Sequence, residues 1–359
     1  MKILLASTPV APLGGGFGGG VDFTIKILAN ELIKKNHLVE IIAPKNSILE
    51  TYAKIIEVDG INQNSVQNQD FYTYQPIFSN SVLTKMWEFI IKKQANYDVI
   101  VNFAYDWLPF YLTPTIKTPV VNFVSMSAVS NEMKEIIYNF SKNYSNRLVM
   151  YTKTQKETFD IKEDIFISGI GLDLNNYNYS LEHENYIIWL GRISQEKGLE
   201  DAFELAKEKK IKLKIAGKIQ DEQYWSDLQK KYNKIDFEYL GFLNTNELQK
   251  QTSKALALIF TSKWIEAFGI VIIEALACGT PVIAYNLGGP SEIIKNNYTG
   301  FLVNPNESIK GFSEAFDKIS DINRENCRND IIKNYSAEIF SKKLECFLLE
   351  QILAKKDFK

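Results

Sequence analysis

Short apolar runs, rich in Ile, Val and Leu, alternate with longer amphipathic stretches along the whole chain. In the first half these runs predict strands at 2–6, 38–43, 54–58, 98–103, 119–123, 147–151 and near 165–167. In the second half they predict strands at 186–190, 212–216, 236–240, 256–261 and 281–284. Apolar strands separated by helices are typical of parallel sheets that are covered by helices on both faces. The pattern therefore predicts a doubly wound α/β protein.

The pattern breaks between residues 169 and 185, where turn-forming residues follow one another without a sustained period. We expect a linker there, between a first domain at 1–168 and a second domain at 186–335. The last stretch, 336–359, is amphipathic and has no following strand, so it predicts a helix that packs back across the junction. Ligands of open parallel sheets bind beyond the carboxyl ends of the strands. We therefore expect a ligand cleft where the two domains face each other.

Composition and charge limit the classes of molecule that this chain is expected to bind. The 359 residues carry 41 Lys and Arg against 43 Asp and Glu, which leaves no basic excess to attract nucleic acid or an anionic membrane. The three cysteines have a spacing typical neither of a disulfide framework nor of a zinc site, which predicts a reducing, cytoplasmic location. The apolar run at the amino terminus is too short for a signal peptide, and no run approaches the roughly 20 residues of a membrane span. A small-molecule ligand is therefore expected, while the oligomeric state stays open.

A glycine-rich loop follows the first predicted strand and precedes a helix predicted to begin near Val21. Its glycines satisfy the G-x-G-x-x-G pattern of dinucleotide-binding proteins, with Glu40 as the acidic partner. That partner belongs at the carboxyl end of the second strand, whereas Glu40 lies early in it. A nicotinamide-dependent oxidoreductase is therefore a remote alternative. We favour a loop whose backbone approaches an anionic ligand through Gly14, Gly15 and Gly16.

Two cations follow the predicted strand at 186–190, in a chain that has only four arginines. Arg192 and Lys197 lie in the loop and first turn above a carboxyl strand edge. Such a pair suits a diphosphate, because the arginine offers a planar fork of donors and the lysine a mobile point charge. The alternative is a solvated loop in which Glu196 pairs with one of them.

Two glutamates lie on either side of the predicted helix start near Gly269, one before it and one after it. Glu266 lies in the loop, and the first backbone N–H groups of the helix can receive an anionic oxygen. Glu274 interrupts an otherwise apolar helix, where a carboxylate without partners is costly to bury. Hydroxyl groups of a ligand would satisfy it. The alternatives are a helix face turned to water or an internal pair with a lysine.

The sequence lacks the residues that a catalytic triad, a metal site or a P-loop would require. His37 and His183 lie far apart in the sequence, in a turn and in the predicted linker, so neither a catalytic triad nor a histidine metal site is expected. The chain has no D-x-D pair and no phosphate-binding P-loop motif. We therefore expect no cofactor and no metal, and a diphosphate neutralised by protein groups.

Together these segments resemble the retaining nucleotide-sugar glycosyltransferases of family 4. The resemblance is carried by the glycine loop, by G-R-x-x-x-E-K-G at 191–198, by the E-x7-E pair of Glu266 and Glu274, and by the G-G-P-S-E turn at 288–292. It implies the GT-B architecture, in which two facing Rossmann-like domains enclose a cleft, the first binding the acceptor and the second the nucleotide sugar. The segment 102–109 (N-F-A-Y-D-W-L-P), the opening S-T-P-V-A-P-L-G and K-W-I-E-A-F-G are further similar to cyanobacterial glucosyltransferases that use UDP-glucose and tetrahydrobiopterin.

The resemblance also implies residue roles. Arg192, Lys197 and Glu266 would be catalytic. The donor site would comprise Gly14, Gly15, Gly16, Arg192, Lys197, Leu243, Glu266, Ala267, Phe268, Gly269, Ile270 and Glu274. The acceptor site would comprise Tyr105, Asp106, Trp107, Ser125 and Ser127. Many members carry a histidine near the sugar, in the region that resembles 121–127, and this chain has none, so Ser125 or Ser127 would replace it.

Three points stay open at the level of sequence. The acceptor is a small hydroxyl compound, with tetrahydrobiopterin suggested, or alternatively a polysaccharide or a lipid-linked sugar. A protein that binds nucleotide sugars without turnover would keep the same donor residues. Asp106 either contacts a pterin or caps a helix that starts at Trp107, with the neighbouring aromatic residues in the core.

Overall fold

The computed structural model describes residues 1–15 and 19–356. The chain forms two compact units: unit 1 comprises Met1–Gly171 and the segment from Ala337, and unit 2 comprises Leu172–Ser336. Residues 172–185, which the sequence predicts as most of a linker, are therefore part of unit 2.

Unit 1 is built on a parallel sheet, as the apolar runs predict. Its described residues form seven strands: β1 (Lys2–Ala6), β2 (Leu38–Pro44), β3 (Lys54–Val58), β4 (Val99–Asn102), β5 (Val120–Phe123), β6 (Leu148–Met150) and β7 (Phe166–Ile167). The spatial order is β3-β2-β1-β4-β5-β6-β7, and each neighbouring pair is parallel. The predicted strands are confirmed, with ends that differ by one or two residues.

Five helices connect these strands: α1 (Gly20–Lys34), α2 (Val82–Lys93), α3 (Trp107–Leu112), α4 (Asn131–Tyr144) and α5 (Lys153–Glu157). Side chains fix several of their starts. The Ser81 and Ser130 hydroxyls accept the N–H groups that α2 and α4 leave unpaired in their first turns. Apolar faces of these helices bury Met86, Trp87 and Ile137 against the sheet.

Unit 2 has a second parallel sheet. Its strands are β8 (Tyr186–Leu190), β9 (Lys212–Ala216), β10 (Phe237–Tyr239), β11 (Ala257–Phe260), β12 (Val282–Tyr285) and β13 (Gly300–Val303), in the order β10-β9-β8-β11-β12-β13. The first five confirm the prediction. The edge strand β13 was not predicted, because it is four residues long and opens on a glycine. A Cβ at Gly300 would lie 2.0 Å from the Val282 carbonyl oxygen, so the pairing with β12 requires glycine there.

The helices of unit 2 are α6 (Leu199–Lys209), α7 (Glu222–Lys231), α8 (Thr245–Ser253), α9 (Ile270–Ala277), α10 (Pro290–Ile293), α11 (Ser308–Phe316) and α12 (Arg324–Asn334). Two of the four arginines hold this unit together. The Arg324 guanidinium donates to the carbonyl oxygens of Ser180, Ser253 and Ala255, and Arg328 donates to that of Ala277. These arginines are structural.

The chain then returns to unit 1 through α13 (Ala337–Lys356), which confirms the predicted terminal helix. The helix packs on α1, where Glu345 Oε2 accepts from the Lys35 ammonium at 2.8 Å and Glu345 Oε1 lies 2.7 Å from the His37 ring Nε2. The Phe347 ring stacks on Phe166 at 4.4 Å between centroids. Within the described residues, none of the helices has the length and apolar composition needed to cross a membrane.

Candidate functional site

Two neighbouring strands of unit 2 bring the sequence-predicted donor residues together. Because β8 and β11 are adjacent and parallel, the loops that follow them meet at one edge of the sheet. The Lys263 N–H donates to the Glu196 carbonyl oxygen at 2.8 Å and joins the two loops. The Thr261 hydroxyl accepts from the Trp189 indole at 2.9 Å and donates to the Lys197 carbonyl oxygen at 3.0 Å. These bonds fix the backbone of Lys197.

Lys197 and Glu266 form an ion pair at this edge, with the lysine donating to Oε1 of the glutamate. Only 14% and 13% of the two side chains are exposed. The Ser262 hydroxyl donates to the same oxygen at 2.8 Å, and the Lys197 ammonium lies 4.7 Å from the centre of the Trp264 ring. Burial alone would raise the pKa of Glu266, but the charge and hydrogen bond of Lys197, together with hydrogen bonds from Ser262 and Trp264, outweigh it and hold the pKa below its ordinary value. The site therefore holds an ionised carboxylate beside an ammonium group.

The glycine turn at 288–289 fixes the loop that carries Glu266. The Gly289 N–H donates to the Glu266 carbonyl oxygen at 2.8 Å. A Cβ at Gly288, where φ is +66°, would lie 2.6 Å from that oxygen. A Cβ at Gly289 would lie 2.1 Å from the Phe268 carbonyl oxygen. Only glycine permits this close approach of two backbone segments.

Arg192 lies two residues beyond β8 and is about one-third exposed. Its Nη1 donates to the Gln220 side-chain oxygen, and its Nη2 lies 3.5 Å from Glu196 Oε1. The Ser194 hydroxyl donates to that same Glu196 oxygen at 2.6 Å. The pairing expected of a solvated loop is thus present, but it is long, and it leaves the guanidinium next to the Lys197 loop.

Glu274 lies on α9, about 6 Å along the helix axis from its first residue at 1.5 Å per residue. The Tyr177 hydroxyl donates to Glu274 Oε1 at 2.9 Å. Burial raises the pKa of Glu274 to about 7, against the lowering effect of this hydrogen bond. The expected alternative of a lysine partner does not occur among the described residues. Tyr177 was missed by sequence reasoning, because it lies in the predicted linker and nothing in its spacing marks it.

The amino end of α9 confirms the predicted helix start near Gly269. Gly269 has φ of +109° and precedes Ile270, the first helical residue. The first-turn N–H groups of a helix have no intrahelical acceptor and point out of its end. Phe268 is buried, with its ring 6.0 Å from that of Tyr335. Leu243 is half-buried in the turn between β10 and α8.

Comparison with known proteins finds a family match in the second half of the chain. Residues 177–338 match the family model of the group 1 glycosyl transferases. An uncharacterized glycosyltransferase of Methanocaldococcus jannaschii is 27% identical over 327 residues, which cover 80% of this chain and 82% of that relative.

Solved structures show that the whole chain has the GT-B fold. The sucrose-phosphate synthase of Thermosynechococcus elongatus matches with a TM-score of 0.78 at 18% identity, over 99% of each chain. Anabaena HepE in complex with UDP and glucose matches with a TM-score of 0.76 at 17% identity, over 98% of this chain and 100% of that chain. The expected architecture of two Rossmann-like units is therefore confirmed.

In unit 1, backbone N–H groups of the glycine loop form hydrogen bonds within that unit. The Gly14 N–H donates to Asp22 Oδ2 at 2.9 Å, so it does not face a ligand. Gly14 has φ of +79°, and a Cβ there would lie 1.8 Å from the Ile48 carbonyl oxygen. The Gly15 N–H lies 3.4 Å from the Pro12 carbonyl oxygen. Glycine at position 14 is therefore required by a close backbone approach.

The acidic residue of the dinucleotide pattern, Glu40, does not lie at the carboxyl end of β2. Gly16 lies outside the described residues. Glu40 is the third residue of β2, as the sequence indicated, and its carboxylate accepts from the Tyr97 hydroxyl at 2.6 Å and lies 3.2 Å from the Lys54 ammonium. A carboxylate at this early position is not at the carboxyl strand end, where a ribose would lie.

Asp106 caps α3, which starts at Trp107 as the capping alternative expects. Its Oδ1 accepts from the Leu108 N–H at 3.5 Å, and its Oδ2 accepts from the Gln63 side chain at 3.1 Å. Burial raises the pKa of Asp106 to about 6. Trp107 and Tyr105 pack against the core of unit 1. The local structure accounts for this segment, and its role toward an acceptor stays a prediction.

The two serines proposed to replace the family histidine follow β5. Ser127 is buried, and its hydroxyl oxygen has no hydrogen-bond partner among the described residues. Its carbonyl oxygen accepts from the Tyr105 hydroxyl at 3.1 Å. Ser125 is half-buried. Across the described part of the chain, no three His, Cys, Asp or Glu side chains lie close enough to hold a metal ion together.

Proposed function

We propose that this protein transfers a glucosyl group from UDP-glucose to a hydroxyl group of a small acceptor, with retention at the anomeric carbon and without a metal ion. The observation that carries the proposal is the meeting of Arg192, Lys197 and Glu266 at one edge of the unit 2 sheet. HepE, which shares the fold, binds UDP and glucose, and this supports the choice of donor.

In the proposed donor complex, Arg192 and Lys197 neutralise the diphosphate, and the first-turn N–H groups of α9 complete its environment. Glu266, ionised and fixed by the glycine turn, accepts hydrogen bonds from the transferred sugar together with the Ala267–Ile270 backbone. Glu274 accepts from the ribose hydroxyls. Leu243 lies beside the base, and a contribution of Gly14, Gly15 and Gly16 to donor binding stays a prediction.

The chemistry follows from where charge develops. As the bond between the anomeric carbon and the diphosphate oxygen breaks, negative charge grows on the diphosphate, next to the two cations. The acceptor oxygen then bonds to the same face of the anomeric carbon, and its proton passes to the leaving phosphate oxygen. Glu266 is already paired with Lys197 and Ser262, which makes it a poor nucleophile. A same-face mechanism therefore fits better than a covalent glycosyl-enzyme.

We assign acceptor binding to unit 1, through Tyr105, Asp106, Trp107, Ser125 and Ser127. The unpartnered Ser127 hydroxyl favours this side, because a buried hydroxyl without a hydrogen bond is costly unless a ligand supplies one. Tetrahydrobiopterin is the acceptor that the sequence similarity suggests. A pterin could pair with Asp106 only by displacing the Gln63 amide from its Oδ2.

The deciding experiment is mass spectrometry of products after incubation with a panel of nucleotide sugars and acceptors. The donors include UDP-glucose, and the acceptors include tetrahydrobiopterin, simple sugars and lipid-linked sugars. The proposal predicts one hexose added to a small acceptor and one equivalent of UDP released. Binding of UDP-glucose with no transfer to any acceptor would instead show a binding protein, and binding of reduced nicotinamide cofactor, seen by fluorescence, would favour the oxidoreductase.

A further inference from the structure

We propose that Tyr177 is a positioning residue for donor binding: its hydroxyl holds the Glu274 carboxylate in the orientation that receives the two ribose hydroxyls. The inference rests on the proposed function and adds a residue that the family motifs do not include. Tyr177 and Glu274 are 97 residues apart in the chain and meet only in the folded glycosyltransferase domain.

The described residues leave acceptor positions of the Glu274 carboxylate unused. An ionised carboxylate offers about four acceptor positions. Tyr177 occupies one of them on Oε1, at 2.9 Å. Among the described residues, no other hydrogen bond to the Glu274 side chain is present. The acceptor positions that remain match a pair of vicinal hydroxyl groups, while the phenol fixes the side-chain rotamer.

The backbone on both sides of Tyr177 is itself fixed to the helices around Glu274. The Asn178 N–H donates to the Gln249 side-chain oxygen on α8 at 3.0 Å. The Ser180 N–H donates to the Cys278 carbonyl oxygen, just after α9, at 3.3 Å. Arg328 bridges the segment and the helix, with Nη2 donating to the Leu174 carbonyl oxygen at 3.1 Å. These bonds therefore fix the backbone that carries the Tyr177 phenol relative to α9.

The protonation states of Tyr177 and of the neighbouring groups allow Tyr177 to donate to Glu274. Burial raises the pKa of Tyr177 far above its ordinary value, so the phenol stays a hydrogen-bond donor. Burial also raises the pKa of the Cys278 thiol to about 12, so that group stays neutral. The arginines Arg324 and Arg328 stay charged because guanidinium groups do not lose their proton in proteins.

Other ionisable groups lie at the end of the same helix and on the elements around it. They are Cys278 immediately after α9; Glu247 and Lys250 on α8; Glu292 on α10; Arg324, Glu325, Cys327, Arg328, Asp330 and Lys333 on α12; Tyr285 on β12; and Asp173, Tyr177 and Tyr179 in the preceding segment. The hydrogen bond of Tyr177 is the side-chain interaction that acts on the pKa of Glu274, against the effect of burial. Removing it should therefore move the titration of Glu274 to higher pH.

The test is Tyr177→Phe in the full chain, with calorimetric titration of two ligands, UDP and its 2′,3′-dideoxy analogue. The variant should bind UDP about 10-fold more weakly, as expected for a lost hydrogen bond to a charged group, and the dideoxy analogue as tightly as wild type does. In wild type the affinity for UDP should rise with pH as Glu274 ionises. In the variant this rise should come at higher pH, a change that loss of folded structure would not produce.

Tyr232→Phe is the matched control. Tyr232, which follows α7, is also buried, and its hydroxyl donates to Glu204 on α6 at 2.6 Å. This variant should leave both affinities unchanged. A second measurement uses the Glu274→Gln background, where adding Tyr177→Phe should have little further effect on UDP binding.

The outcomes separate the two proposals. Equal weakening of UDP and of the dideoxy analogue in Tyr177→Phe, or an unmoved pH profile, overturns the positioning role and leaves the proposed function standing. Failure of the wild-type chain to bind UDP overturns the proposed function, and the role of Tyr177 with it.

Discussion

The same architecture places two sets of chemistry-bearing residues at carboxyl strand ends, one in each unit, and the two sets are held in different ways. In unit 2, Lys197 pairs with Glu266, Arg192 contacts Gln220 and Glu196, and none of the three charged side chains caps a helix. In unit 1, Asp106 caps α3 and Tyr105 packs in the core. A charged side chain that caps no helix is therefore stronger evidence of a ligand site than one that does. The following substitutions test this difference between the two units.

Arg192→Ala should have the largest effect and lower turnover by about 10²-fold or more, because a group that stabilises the leaving diphosphate is lost. The measurement is steady-state release of UDP, with fold checked by circular dichroism. Lys212→Ala, which removes an exposed ion pair with Glu238, serves as the control and should leave turnover unchanged. A variant at Arg192 with wild-type turnover would remove the diphosphate assignment.

Glu274→Gln should weaken the binding of UDP by about 10-fold or more, because a neutral amide accepts hydrogen bonds less strongly than a carboxylate. The wild-type affinity should fall as pH drops below about 7, the raised pKa of Glu274, while the variant should show no such fall. Calorimetry at several pH values measures both. Unchanged affinity in the variant would contradict the ribose assignment.

Asp106→Asn tests the structural side of the contrast. Burial raises the pKa of Asp106 to about 6, so ionising it costs about 2–3 kcal/mol of stability, a cost absent below about pH 4 and complete above about pH 6. Asparagine caps helices as well as aspartate does. The variant should therefore have the higher free energy of unfolding at pH 7, and the difference should disappear at low pH.

Urea unfolding followed by circular dichroism at several pH values checks this expectation, and turnover with tetrahydrobiopterin and with a simple sugar acceptor extends it. A selective loss of turnover with the pterin would place Asp106 in the acceptor site and break the contrast between the units. Equal turnover with both acceptors would confine Asp106 to its structural role.

Removal of divalent metals should have the smallest effect. If the diphosphate is neutralised by Arg192, Lys197 and the start of α9, then EDTA should leave turnover unchanged. The control is readdition of magnesium or manganese after dialysis, which should not raise the rate. An absolute requirement for either ion would contradict the metal-free mechanism.

The sequence by itself determined most of the strands and the sheet edge at which Arg192 and Glu266 lie. Apolar runs of three to six residues locate parallel strands because a strand buried on both faces must be apolar throughout. The position of Arg192 after one strand and Glu266 after another then follows from the chain order. The apolar pattern did not predict the short edge strand β13, because four residues that begin with glycine carry too little of it.

Only the tertiary structure decided which groups pair. The phenol of Tyr177 reaches Glu274 across 97 residues, and the glycine turn at 288–289 meets the backbone of Glu266. The Gln63 amide meets Asp106 across 43 residues. Apolar periodicity is a local property of the chain, whereas a hydrogen-bond partner depends on how distant segments pack, at distances that must be correct to a few tenths of an ångström.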